Sequence, residues 1–464
     1  MQAVPRLVLS AMRGGSGKTT LAIGITAAWR KRGRNVAVFK KGPDFIDAGW
    51  LGAAAGRQCY NLDPFLMEEE VIRRSFARHT ARAGAAVIEG NRGLYDGVDE
   101  SGTYSTARLA KLLKAPVVLI ADCTKATGTV AALVLGCQQY DRATDIGGVI
   151  LNNVSPGRHE KVVRNAIEQT SGLPVVGAVP RLGHGEFPER HMGLTPHHEH
   201  PDVDTAIQAA TSVAEQYLDT DGLWNIANNA PRWEVADLPA DAGHAEPEVT
   251  IGVIQDSAFQ FYYPDNLEAL EHQGARIIPI NALKDRDLLD IDALYIGGGF
   301  PETQAAELAA NEGFGRSLRA AVDEGLPVYA ECGGLIYLGR SLVTGQKTYP
   351  MTGVLPLDFV LEGKPQAHGY TVLEVEKQTP FFDAGVTLRG HEFHYSHIVN
   401  LDELPDSAFR MKRGRGLDGK VDGIIYKNVL AAYTHVHALG TPEWARGMVN
   451  KARSNKERKR RDRA

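Results

Sequence analysis

No Cys-x-x-Cys pair occurs in this chain. Its four cysteines, Cys59, Cys123, Cys137 and Cys332, are scattered over 464 residues. A redox dithiol and a cysteine-rich zinc site are therefore unsupported, and so sparse a set of thiols suits a reducing compartment. No apolar run nears the ~20 residues that span a bilayer. No apolar signal core precedes the first glycine-rich loop. A dominant charge is missing too: 51 basic residues against 56 acidic ones leave a net charge of −5. That balance gives the protein no electrostatic hold on nucleic acid. These absences point to a soluble, cytoplasmic protein without membrane or nucleic-acid partners. Glycine is plentiful, at 49 residues, as expected where many loops turn tightly or approach a ligand.

The length allows two or three domains of about 150 residues. In the first half, short apolar runs (Leu7–Ser10, Val36–Phe39, Ala85–Ile88, Val117–Ala121, Gly148–Leu151) alternate with helical stretches (Thr19–Lys31, Ser105–Leu113, Thr129–Gln139, His159–Thr170). Such alternation predicts a parallel sheet covered on both faces. A polar stretch, Asp219–Glu248, reads as a linker. A second α/β series starts at Val249, with strands at Val249–Gln255, Arg276–Ile280, Ala293–Ile296 and Pro327–Ala330 and helices at Asp265–Gln273 and from Glu302. After Tyr349 the runs become strand-like and antiparallel in character. The expected organisation is residues 1–218, a linker at 219–248, a domain at 249–450 and a basic tail at 451–464. That tail, with eight Lys or Arg and two acids, reads as a solvated end.

Two sites stand out. The first is Arg13-Gly14-Gly15-Ser16-Gly17-Lys18-Thr19-Thr20, between a strand and a helix. Glycines let backbone N–H groups converge on phosphate oxygens, and the helix start adds partial positive charge. Lys18 is expected to reach the outer phosphates and Thr19 to hold Mg²⁺. Met12 stands where the strict P-loop has glycine, so the fit is to the deviant P-loop, with Arg13 replacing its first lysine. Magnesium needs hard oxygen ligands. Asp44 and Glu89 follow strands, where an open parallel sheet gathers its ligands; Asp44 and Asp47 could equally be turn residues or helix caps.

The second is Pro327-Val328-Tyr329-Ala330-Glu331-Cys332-Gly333-Gly334-Leu335, read as strand, sharp turn and helix. Small residues after Cys332 permit a strained elbow, and the helix start favours a thiolate. The Gly333 N–H is one candidate oxyanion donor, and Gly297-Gly298-Gly299, with Gly298 at its centre, offers a second. A nucleophilic thiol needs a base. His391, His394, His435 and His437 are candidates; His435 follows an apolar run near the end of its domain and is preferred. Cys59, Cys123 and Cys137 read as buried structural residues.

With these segments the chain resembles the cobyrinic acid a,c-diamide synthase family over nearly its whole length. The resemblance rests on Gly42-Pro43-Asp44-Phe45-Ile46-Asp47, Asn61-Leu62-Asp63-Pro64, Gly93-Leu94-Tyr95-Asp96-Gly97, Pro188-Glu189-Arg190-His191, Phe261–Leu267, Gly297–Glu302, Ala330–Gly334 and Gly390–Ser396. It implies a dethiobiotin-synthetase-like P-loop domain joined to a class I glutamine amidotransferase domain, both α/β. It also implies that ATP converts a tetrapyrrole carboxylate to an acyl phosphate, and that ammonia from glutamine displaces the phosphate. Cys332 then maps onto the nucleophile and His435 onto its base. Thr19, Asp44 and Glu89 match the Mg²⁺ and nucleotide positions, and Asp47 and Asp96 lie near the reacting carboxylate. By family analogy only, the resemblance also allows a homodimer. The chain departs from the pattern at four places: His437 stands where class I triads carry Glu, Ala48 stands where cobyrinate enzymes show Pro, and Asn91-Arg92 and Arg13 are unusual. These features resemble the sirohaem-amidating branch, with nickel sirohydrochlorin a third possible ring. A partitioning or regulatory ATPase would share the deviant P-loop but end after one domain.

Overall fold

The computed structural model describes residues 4–182, 189–190, 193–194, 196–200, 202–232, 246–399 and 406–463. Pro188 and His191 of one family segment therefore lie outside the described residues. The chain divides into two compact units, Met1–Pro239 and Ala240–Ala464.

The first unit is built on seven strands: β1 (Arg6–Ala11), β2 (Val36–Lys41), β3 (Cys59–Leu62), β4 (Ala85–Glu89), β5 (Val117–Asp122), β6 (Ile146–Asn152) and β7 (Val175–Ala178). All neighbours are parallel, in the order β3-β2-β4-β1-β5-β6-β7. The near-continuous Val, Ile and Leu runs reflect burial on both faces. The structure adds two strands to the expected five, β3 and β7. β3 carries Asn61, a buried polar residue in a four-residue strand. Its amide donates to the carbonyls of Gly42 (2.8 Å) and Asp44 (2.9 Å), so it fastens the loop that carries Asp44.

The expected linker at 219–248 needs correction. Thr220–Asn228 is a helix whose Asp219 cap accepts from Gly222 N at 2.8 Å. It buries Leu223 and Ala227, and the Trp224 ring meets Trp29 edge-on. The Arg6 guanidinium then donates to Pro231 O at 2.6 Å. A polar composition hid a capping aspartate and a one-sided apolar stripe. Residues 233–245 lie outside the described residues.

The second unit holds a ten-stranded sheet. Five parallel strands come first, in the spatial order Ala275–Ile280, Val249–Ile254, Ala293–Ile296, Val328–Glu331 and Val429–Ala432. Antiparallel strands complete it: Val421–Tyr426, Ser407–Arg413, Ala367–Val375, Thr387–His394 and His435–Val436.

The basic tail is corrected as well. Pro442–Arg463 is one helix. Trp444, Ala445, Met448, Val449 and Ala452 are buried at helical spacing, and Asn455 donates to Asp292 O at 2.9 Å. Basic side chains on its other face pair with acids: Arg453 with Glu248 (2.6 Å), and Lys459 (2.8 Å) and Arg463 (3.0 Å) with Asp290. Ala464 lies outside the described residues. Among the described residues, no helix is long and apolar enough to cross a membrane.

Candidate functional site

In the first unit the loop after β1 is open. A Cβ on Gly14 or Gly15 would meet nothing within 4 Å, leaving room for a ligand against the backbone. Gly17 is different: its φ is 81°, and a Cβ there would stand 2.7 Å from Asn152 Nδ2. That close approach lets Asn152 donate to Ser16 O at 3.0 Å and hold the loop from β6. Arg13 pairs with Asp122 at the end of β5. Lys18 and Thr19 open the helix Lys18–Lys31, with Thr20 in its first turn.

Thr19 Oγ1 donates to Glu89 Oε1 at 2.7 Å. Lys40, near the end of β2, carries no local sign of its role in the sequence. Its ammonium is buried and reaches Asp47 Oδ2 (2.6 Å) and Glu89 Oε1 (2.9 Å). Burial disfavours that charge, but Asp47, Glu89 and Asp44 together hold the lysine well above its ordinary value. Asp44 Oδ1 accepts from Asp47 N at 2.7 Å, the geometry of a loop-to-helix cap. Burial, and then the Asp47 charge, push the Asp44 carboxyl up to about 7. Asp96 Oδ2 accepts from Gly93 N at 2.8 Å. Lys18 is pulled below its usual value by burial and by Lys40, against the opposing charges of Glu89, Asp47 and Asp96. The P-loop and all four predicted acids thus share one electrostatic neighbourhood. Glu89 Oε2 is buried with no hydrogen-bond partner among the described residues. An orphaned carboxylate oxygen beside further carboxylates and a threonine hydroxyl is a hard donor set, and it suits a divalent cation.

In the second unit Cys332 ends the strand Val328–Glu331. Its φ of 47° and ψ of −99° form a left-handed elbow at a non-glycine residue, strain characteristic of displayed nucleophiles. Cys332 N donates to Ala432 O at 2.7 Å, which locks the elbow to the neighbouring strand. A Cβ on Gly333 would lie 3.0 Å from Gly299 N, and one on Gly298 would lie 2.4 Å from His435 Cε1. Both predicted oxyanion glycines therefore border the thiol and its histidine.

Of the four candidate histidines, His435 is the one whose proton Cys332 helps to hold. Its Nδ1 lies 3.2 Å from Glu331 Oε2. Burial favours the neutral ring, but the bonds to Cys332 and Glu331 outweigh it and hold the proton up to about 10. The His391 ring stacks on His435 at 4.9 Å and lies 3.3 Å from the Tyr263 hydroxyl. Burial, then the charges of His435 and His437, keep it well below the ordinary histidine value. The His394 ring lies 3.6 Å from that of Tyr433, with Nδ1 2.8 Å from Ser396 O. His437 Nε2 sits 3.4 Å from Asp265 Oδ2, and its Nδ1 accepts from Leu439 N at 3.3 Å. Glu331 is the acid that reading the sequence overlooked. In the sequence it stands only as the residue before the thiol, and nothing local announces its reach to a histidine 104 positions away. Cys59 and Cys123 are buried and Cys137 partly so, each with its thiol raised by burial.

Comparison with known proteins agrees with this division. Residues 7–194 match the CobQ/CobB/MinD/ParA nucleotide binding domain, and residues 250–443 match the CobB/CobQ-like glutamine amidotransferase domain. Similar proteins include the cobyrinate a,c-diamide synthase of Magnetococcus marinus, 42% identical, covering 95% of this chain and 96% of that one. That of Archaeoglobus fulgidus is 41% identical over 98% of each chain. That of Methanothermobacter thermautotrophicus is 39% identical over 96% of this chain and 99% of its own. These names support the cobyrinate branch over the sirohaem alternative, and the amidotransferase match sets the chain apart from single-domain regulatory ATPases. The first unit is a nucleotide-binding domain, the second is a glutamine amidotransferase domain, and the chain belongs to the cobyrinate a,c-diamide synthase family.

Proposed function

We propose that this chain amidates the a and c side-chain carboxylates of cobyrinate, drawing nitrogen from glutamine and driving force from ATP. The observation that carries the reading is a cysteine elbow bonded to a buried histidine in the same chain as a P-loop ringed by carboxylates. Relatives of that name match along nearly the whole length.

In the second unit Cys332 Sγ attacks the side-chain carbonyl carbon of glutamine with the thiol proton already held by His435. N–H groups around Gly298 and Gly333 receive the oxyanion. Collapse breaks the C–N bond, His435 returns the proton to the leaving ammonia, and water then hydrolyses the thioester to glutamate. In the first unit a substrate carboxylate oxygen displaces ADP from the terminal phosphorus of ATP, giving an acyl phosphate. Ammonia attacks the acyl carbon and phosphate leaves, so an amide remains. Gly14, Gly15, Gly17 and Lys18 hold the phosphates. Thr19, Asp44 and Glu89 would hold Mg²⁺, which screens phosphate charge when bound. Asp47 and Asp96 flank the reacting carboxylate. Lys40 keeps Asp47 and Glu89 in one cluster despite their like charges. The reaction belongs to a soluble cytoplasmic enzyme.

The test is Cys332→Ser in the full chain. Glutamine-dependent amidation of cobyrinate should vanish while ammonium salts still support it. Loss of both would mean that Cys332 is not simply the glutaminase nucleophile.

A further inference from the structure

Class I triads take their third member from the residue two places after the histidine. Here that residue is His437, and its ring is engaged elsewhere. Nδ1 accepts from Leu439 N, so Nε2 carries the proton and faces Asp265. Neighbouring bonds serve the same loop: Asn266 donates to Val436 O at 3.0 Å and accepts from Ala438 N at 2.7 Å. The Asn266 bonds tie the end of the last strand to the helix Pro264–His272, with the His437 ring beside them 3.4 Å from Asp265.

We infer that Glu331, the residue immediately before the nucleophile, orients His435 and takes the place of the missing acid. This rests on the glutaminase reading of Cys332. Three donors converge on the Glu331 carboxylate. His435 Nδ1 lies 3.2 Å from Oε2, the Tyr295 hydroxyl 3.1 Å from the same oxygen, and Val436 N 3.1 Å from Oε1. The side chain is only 1% exposed. A buried carboxylate persists only with such a set of donors. Each bond contributes to alignment. The Nδ1 bond fixes the ring orientation in which Nε2 holds the thiol proton. The Val436 bond fixes the backbone on which the ring is mounted. While His435 carries the proton, the fixed anion beside it balances the charge, as the buried aspartate does in serine proteases.

The position follows from topology. Glu331 and Ala432 are register partners in parallel strands, and the chain continues from Ala432 for three residues to His435. The carboxylate therefore arrives from the strand beside the histidine rather than from the histidine's own segment. Glu331 touches no reacting atom and is a positioning residue.

The test is Glu331→Gln in the full-length enzyme. Gln retains the volume and can still accept from Val436, but its amide nitrogen cannot accept from Nδ1–H. Glutamine-dependent kcat should fall by roughly 10²–10⁴-fold, with KM for glutamine nearly unchanged. Ammonia-dependent amidation should stay within about twofold. Alkylation of Cys332 by iodoacetamide, corrected with Cys332→Ser protein, should lose more rate at about pH 6.5 than at about pH 8.5. In a His435→Ala background the Glu331→Gln change should cost nothing further. Retention of glutamine-dependent kcat within threefold would overturn the inference. So would an equal loss with ammonia, or a full additional loss on top of His435→Ala. If the reading of Cys332 were itself wrong, Cys332→Ser would keep glutamine use, an outcome separate from any behaviour of Glu331→Gln.

Discussion

Replacing Gly298 by alanine adds one methyl group and leaves every backbone N–H in place. The added Cβ would stand 2.4 Å from His435 Cε1, 3.2 Å from Nε2 and 3.3 Å from Phe261 Cδ2, whereas ordinary contacts begin at 3.4 Å. Relief requires the imidazole to retreat by about 1 Å. The ring is not free to do so, because Nδ1 is bonded to Glu331 and one face is stacked on His391. The retreat therefore stretches the contact with Cys332 or the one with Glu331. A displacement of that size costs about 10²-fold in rate, and overpacking costs about 1–3 kcal/mol of stability. Glutamate release from glutamine, with and without cobyrinate, should fall by two orders of magnitude. Ammonia-driven amidation should hold, and the melting temperature should drop by a few degrees. Gly363→Ala, where a Cβ would meet nothing within 4 Å, should behave as wild type. Glutamine turnover in Gly298→Ala within threefold of wild type would refute the placement of Gly298 against His435.

Lys40→Met removes the cation between Asp47 and Glu89. Breaking such a buried pair costs about 3 kcal/mol, so calorimetry should show a lower melting temperature. Amidation should fail with both nitrogen sources; an unchanged melting temperature would count against the buried bridge. His435 is protonated up to about 10 against 6.5 for an ordinary histidine, so its bonds to Cys332 and Glu331, once burial is overcome, stabilise the fold. That contribution is complete below pH 6.5 and fades as the pH climbs through about 10. The second unit of the wild type should lose stability between about pH 7 and pH 10 more steeply than that of Cys332→Ser. Parallel curves for the two proteins would contradict it.

The two sites were readable where chemistry is local. Gly14 to Thr20 announce a phosphate loop, and Cys332-Gly333-Gly334 announces an elbow, because each needs its glycines within a few residues. Asp44 and Glu89 were found because strand ends are visible as the ends of apolar runs. Lys40 and Glu331 were not found, for a shared reason. Each is a charged residue at the buried end of a strand, and its meaning depends on which strand lies alongside. Lys40 pairs in register with Glu89, and Glu331 with Ala432; spacing along the chain encodes neither. Composition misled at Asp219 and in the final segment. A capping aspartate resembles a linker residue, and a helix with Trp444 and Met448 on one face and lysines and arginines on the other averages to a polar tail.

The strand that ends in Glu331 is bonded to Val429–Ala432, drawn from near the end of the chain. The nucleophile and its base are therefore brought together across about a hundred residues of intervening helix and strands. A ribosome delivers residues in order, and domains fold as they emerge. All seven strands of the nucleotide-binding sheet, down to Val175–Ala178, are synthesised before Cys332 appears. Cys332 itself then waits about a hundred residues for His435. The nascent chain can thus complete its phosphate site long before it can cleave glutamine, and any chain cut short of His435 lacks an ammonia source.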